Sequence, residues 1–172
     1  MLIPELLVPA ADADKLETAL LYGADAVYLG GQALNLRAKS GGFSFTELPQ
    51  AVATAHVRGA KVYFTLNLLA WEHHIPLVRD YIQRLADTDV DALIIADPGV
   101  LDLARTLAPH LPIHLSTQAN TSNSAAVRFW QAQGVTRVNV ARELSCRHIR
   151  ALRTQAPDME LEVFVHGAMC MA

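Results

Sequence analysis

Residues 61–67, Lys-Val-Tyr-Phe-Thr-Leu-Asn (KVYFTLN), put Val62, Phe64 and Leu66 on one side of an extended chain and Tyr63, Thr65 and Asn67 on the other, because successive strand side chains point to opposite faces. A strand in an open parallel sheet covered by helices on both sides is apolar on both faces. One apolar and one polar face instead fits a closed β/α barrel, with helices outside and a polar interior. The same division recurs elsewhere. In IHLSTQ (113–118) the second face carries His114, Ser116 and Gln118, and in LEVFVHG (161–167) it carries Glu162, Phe164 and His166.

Seven runs of this kind follow one another: ELLVPA, AVYLGG, KVYFTLN, ALIIADPG, IHLSTQAN, RVNVAREL and LEVFVHG. Each is rich in Val, Ile, Leu or Tyr and leaves into a polar or glycine-containing turn. Helical stretches lie between them. Asp12 or Asp14 can cap DKLETALLY, Ser44 or Thr46 opens TELPQAVATAHV, and Ser145 can cap CRHIRALR. IPLVRDYIQRLA places Ile75, Val78, Ile82 and Leu85 on one helical face. Gly23, Gly59 and Gly134 each stand between a helix and the next strand, where a left-handed C′ residue is wanted. Repeated β-then-α units imply parallel strands with right-handed crossovers. A TIM-type barrel has eight strands and this chain supplies seven, ending at His166. The expectation is therefore an α/β fold, a (β/α) barrel truncated after strand seven, as a single domain over residues 1–172 that is incomplete at its C-terminus.

The 172 residues are 52% hydrophobic and 18% charged, a globular composition with enough length for a real core. A net charge of −3 gives no general attraction to nucleic acid or an anionic membrane, so any RNA contact has to be local. A local imbalance exists. From Thr121 onward Arg128, Arg137, Arg142, Arg147, Arg150 and Arg153 face only Glu143, Asp158, Glu160 and Glu162, which reads as a phosphate-facing strip or as a solvated helix face. MLIPELLVPA lacks a basic n-region, and no apolar run approaches the roughly 20 residues of a membrane span. The chain reads as cytoplasmic, with Cys146 and Cys170 reduced.

In a barrel of this type, chemistry belongs at the C-terminal strand ends. Those ends hold Asn67, Asp97, Gln118, Asn120, Asn139, Arg142, Glu162, His166 and, just beyond, Cys170. Asp97 in ADPG either shapes a turn or contacts a ligand. Gln118 and Asn120 offer neutral donors and acceptors of the kind that hold a nucleobase or polar metabolite, and Asn139 joins them as a binding candidate. Arg142 can grip a carboxylate or phosphate with two hydrogen bonds, or pair with Glu143. Glu162 faces the interior, where an unpaired charge is costly, so it is paired or protonated. That makes it an acid/base candidate or half of a structural ion pair, with Arg142 or Arg137 as the expected donor. His166 reads as a metal ligand, a general base or a core histidine. The sequence contains no G-x-S-x-G elbow, H-E-x-x-H helix or phosphate-binding P-loop, and the adjacent histidines of WEHH (71–74) diverge on a helix.

The segments ELLVPA, YGADAVYLGG, ADPG, HLSTQAN, ARELS and above all EVFVHGAMCMA resemble the collagenase-like peptidase U-32 family. Its signature falls here on Glu162, Phe164, Gly167, Ala168 and Cys170. The resemblance covers nearly the whole chain. It implies oxygen-independent hydroxylation, most closely of the tRNA wobble uridine with prephenate as co-substrate and hydroxyl source. Related groups act on ribosomal RNA or in ubiquinone synthesis, and the family name itself points to a peptidase. It also implies an iron–sulfur cluster in the full-length protein with Cys170 as its first ligand, a cluster that this chain alone should not hold. Glu162, His166 and Arg142 become the expected catalytic residues. tRNA and a small-molecule co-substrate become the expected partners, with no membrane.

Overall fold

A computed structural model describes residues 3–34 and 41–167. All seven runs form strands: β1 (Leu7–Pro9), β2 (Ala26–Gly30), β3 (Lys61–Leu66), β4 (Ala92–Ile95), β5 (Ile113–Leu115), β6 (Val135–Asn139) and β7 (Glu160–Glu162). They lie in chain order in one sheet and every neighbouring pair is parallel. Six α-helices connect them: α1 (Ala13–Leu21), α2 (Leu48–Val57), α3 (Ile75–Ala86), α4 (Pro98–Leu107), α5 (Ser124–Ala132) and α6 (Cys146–Gln155).

Local chemistry accounts for the helix starts. Asp12 accepts from Lys15 N at 2.9 Å to open α1, and Ser145 accepts from His148 N at 3.4 Å to open α6. At α2 the Ser44 backbone N–H and hydroxyl both donate to the Glu47 carboxylate, at 2.8 and 2.6 Å. The sequence reading assigns no cap at Asp97 or Asn123, which open α4 and α5. Both are caps: Asp97 Oδ1 accepts from Gly99 N and Val100 N, and Asn123 Oδ1 accepts from Ala126 N. Gly23, Gly59 and Gly134 have φ of 85°, 75° and 84°, as helix-ending glycines should.

The alternation read in KVYFTLN is realised in two compartments. Val62, Phe64 and Leu66 join Val27, Leu29, Leu93, Ile95, Leu115 and Val138 in the larger core, which buries Leu16, Val52, Val78, Ile82 and Leu85 of the outer helices. Tyr63 points the other way into an inner compartment with Ala26, Ala92 and Ile94, against which Leu7 and Tyr28 pack. The sheet is curled, since Glu5, just before β1, accepts from Tyr63 Oη of β3 at 2.9 Å and from Arg137 Nη1 of β6 at 2.6 Å. A flat sheet in this strand order would hold β1 and β6 far apart.

Two strands end sooner than the alternation suggests. β5 stops at Leu115, and Ser116 caps a 3₁₀ turn over Thr117–Ala119, which takes Gln118 off the strand. β7 stops at Glu162. The bond from Val140 N to Glu162 O lies at its end, and Ala141 N, on the other edge of β6, donates to Thr121 O. Val163 and Val165, which the alternation puts on the face opposite Glu162, are 38% and 90% exposed. His166 is exposed as well, which removes its reading as a core histidine.

Gly42 is held by backbone alone. Phe43 N donates to Gly30 O at 2.9 Å, and a Cβ on Gly42 would lie 2.4 Å from Gly31 O and 2.6 Å from Gly31 C. No rotamer relieves a backbone clash. Gly42→Ala should destabilise by about 3 kcal/mol, read as a drop of roughly 10 °C in thermal midpoint. An unchanged midpoint would show that residues 41–43 do not sit against the end of β2.

Candidate active site at the barrel interior

The inward side chains divide into two levels. Toward the N-terminal strand ends lie Glu5, Lys61, Tyr63, Arg137 and Glu160. Arg137 bridges Glu5 (2.6 Å) and Glu160 (2.7 Å), while Lys61 stands 3.5 Å from Glu5. The Arg137 guanidinium also lies 5.2 Å from the Tyr63 ring centre, and Tyr63 meets His114 edge-on at 4.6 Å. Burial raises the Glu5 carboxyl, but the hydrogen bonds from Arg137 and Tyr63 outweigh it and leave the pKa below its usual value. Burial pushes His114 down to about 3, helped by the Arg137 charge, so its imidazole is neutral. This level is a plug in which most polar groups have partners.

The second level lies at the C-terminal ends of β6 and β7, where the final residues Asn139 and Glu162 are register partners. Asn139 Nδ2 donates to Glu162 Oε1 at 2.7 Å. Arg137 Nη1 is 4.0 Å from Glu162 Oε2, an ion pair without a short hydrogen bond. The Glu162 side chain is 17% exposed. Burial pushes its pKa up to about 7; the Arg137 charge opposes that rise and the Glu5 charge adds to it. A carboxyl there is divided between its two states at neutral pH, which suits proton transfer.

Of the other expected residues, Arg142 lies with its guanidinium 4.0 Å over the Phe164 ring. Among the described residues Asn139 and Arg137 reach Glu162, so of the two expected donors it is Arg137 that pairs with it. Asp97 serves as the α4 cap, the local role that its turn reading allowed. Gln118 N lies 3.4 Å from Ser116 Oγ, and Asn120 is exposed in a left-handed conformation at φ 55°. Asn67 is half-buried just past β3. These four share the sheet end with Glu162, and His166, beyond β7, is exposed. Cys170 lies outside the described residues. Of the basic residues, Arg137 points inward, while Arg128, Arg147, Arg150 and Arg153 are exposed, Arg153 also donating from Nη1 to Met159 O.

Sequence reasoning missed the Asn139–Glu162 contact and the role of Glu5. Parity could have found both, since Glu5 alternates with Leu7 and Pro9, and Arg137 with Asn139, on inward positions. Among the described residues no group of three or more His, Cys, Asp or Glu could hold a metal, and the thiol of Cys146 is exposed. Among the described residues no helix is long and apolar enough to cross a membrane.

The chain is 43% identical to tRNA hydroxylation protein P1 of Bacillus subtilis, over 98% of its own length and 40% of that protein's. It is 45% identical to tRNA hydroxylation protein P of Escherichia coli, over 100% of its own length and 38% of that protein's. It thus spans about two-fifths of the curated relatives it matches. Among solved structures, the U32 peptidase Mk0906 superposes with a TM-score of 0.75 at 20% identity, covering 94% of this chain and 68% of that one, a likeness of fold. The description Peptidase family U32 matches residues 11–172, and with the parallel β/α sheet curled around a polar interior this chain belongs to peptidase family U32.

Proposed function

We propose that the protein containing this chain hydroxylates RNA, with the wobble uridine of tRNA as substrate and Glu162 as its acid/base group. The observation that carries this reading is the Glu162 carboxyl at the C-terminal end of β7, enclosed and held by Asn139, with a pKa raised to about 7. Replacing a C–H bond of a base with C–OH is a two-electron oxidation: the hydroxyl donor R–OH breaks its C–O bond and is reduced to R–H, and the proton that leaves the base carbon has to be carried to it. A carboxyl poised near neutrality can accept that proton. The names of the Bacillus and Escherichia relatives support RNA hydroxylation over peptide hydrolysis. Arg142, stacked on Phe164, is a planar cation of the kind that pairs with carboxylates. A carboxylate-bearing hydroxyl source such as prephenate fits that role.

The test is a nucleoside profile of tRNA from cells lacking the gene, complemented with wild-type or variant protein. Loss of the hydroxylated uridine that wild-type protein restores supports the reading. An unchanged profile, with peptide cleavage by the purified protein, would replace it with the peptidase reading. We further expect Cys170 to be a cluster ligand in the longer protein. Wild-type protein prepared without oxygen should then contain iron and sulfide, and Cys170→Ala should lose both together with the modified nucleoside. Full iron content in Cys170→Ala would remove Cys170 from the ligand set.

A further inference from the structure

We infer that Asn139 is a positioning residue that sets when Glu162 gives up its proton and which of its oxygens is left for a substrate. The inference rests on the acid/base reading above only for what the carboxyl is used for. Asn139 is buried at 6% exposure, and its amide makes one hydrogen bond, from Nδ2 to Glu162 Oε1 at 2.7 Å. Its other end, Oδ1, is buried with no hydrogen-bond partner among the described residues. An unmade buried acceptor is a net cost, so stability alone favours an apolar side chain at this position. What the amide does accomplish is to occupy Oε1. Oε2 is left facing Arg137 at 4.0 Å, too far for a hydrogen bond. The carboxyl is thereby fixed in orientation with one oxygen committed and one uncommitted.

The charged groups that act on Glu162 come from two elements. Arg137 of β6 favours the carboxylate, and Glu5, ahead of β1, disfavours it. Asn139 adds a neutral donor on the carboxylate side. A donor bonded to the charged form lowers a carboxyl's pKa, so its removal raises it.

The experiment follows the thermal midpoint of the longer protein from pH 5 to 9 for wild type, Asn139→Leu and Asn139→Asp. Each is also made in a Glu162→Gln background, and the difference isolates the ionisation of Glu162. The wild-type inflection near pH 7 should move up by about one unit in Asn139→Leu, a tenfold gain in proton affinity. It should move up further in Asn139→Asp, which sets a second carboxylate beside the first. An inflection that stays in place in both variants, with only a uniform loss of stability, would make Asn139 purely structural and overturn the inference. Should Asn139→Leu not fold, the near-isosteric Asn139→Asp decides alone. Because no RNA is present, a moved inflection combined with an unchanged nucleoside profile for Glu162→Gln would uphold the inference and remove the proposed function.

Discussion

Replacing Arg137 with methionine should destabilise the protein by about 3–5 kcal/mol, the usual cost of leaving a buried charge without its partner. Arg137 is 12% exposed and joins three parts of the barrel: Glu5 before β1, Glu160 at the start of β7 and, at 4.0 Å, Glu162 at its end. Glu160 is 63% exposed, so water can replace its lost partner. Glu5, at 24% exposure, is less well served and keeps only Tyr63 and the more distant Lys61. The thermal midpoint should fall by roughly 10 °C. Taking both partners away should be gentler, because two apolar groups leave no orphaned charge. The double variant Glu5→Leu/Arg137→Met should therefore recover most of the loss, a coupling that a double-mutant cycle reads directly. A single variant costing under about 1 kcal/mol would mean that this network behaves like an exposed ion pair and does not hold the sheet closed.

The second large effect is at Glu162, where Glu162→Gln should divide activity from stability. Gln keeps the shape and can still accept from Asn139, but it cannot carry a proton to or from a substrate. In the longer protein the modified nucleoside should fall by about 10²–10⁴-fold, the range for losing a general acid or base. Stability should move the other way. The folded-state pKa of about 7 lies above the ordinary 4.5, so the folded protein holds this proton more tightly than the unfolded chain. Its stabilising contribution is complete below pH 4.5 and is lost as pH rises through 7. Glu162→Gln removes that loss. The variant should match wild type near pH 4.5 and exceed it at pH 8 by at most about 3 kcal/mol. A variant that is less stable than wild type at pH 8 would show that the ionised carboxylate is held by its partners and is not poised for proton transfer.

Strand identity and order were legible in the sequence because they depend on local alternation and on turn glycines. KVYFTLN alone separates Val62, Phe64 and Leu66 from Tyr63, and the structure sends the two sets into different cores. The caps at Asp12 and Ser145 and the left-handed Gly23, Gly59 and Gly134 were equally local. Glu162 was legible as an inward acid, since parity and the cost of burial apply to one residue at a time. Arg137 was one of its two expected partners, whereas the hydrogen bond from Asn139 depends on the register of β6 against β7. Strand ends also depend on neighbours: the last bond between β6 and β7 runs from Val140 N to Glu162 O, and His166 beyond it is exposed. The contact of Glu5 with Arg137 spans 132 positions and exists only once the sheet has curled. A side chain's face is written in its own segment, whereas its pKa and its partner are properties of what the fold brings against it.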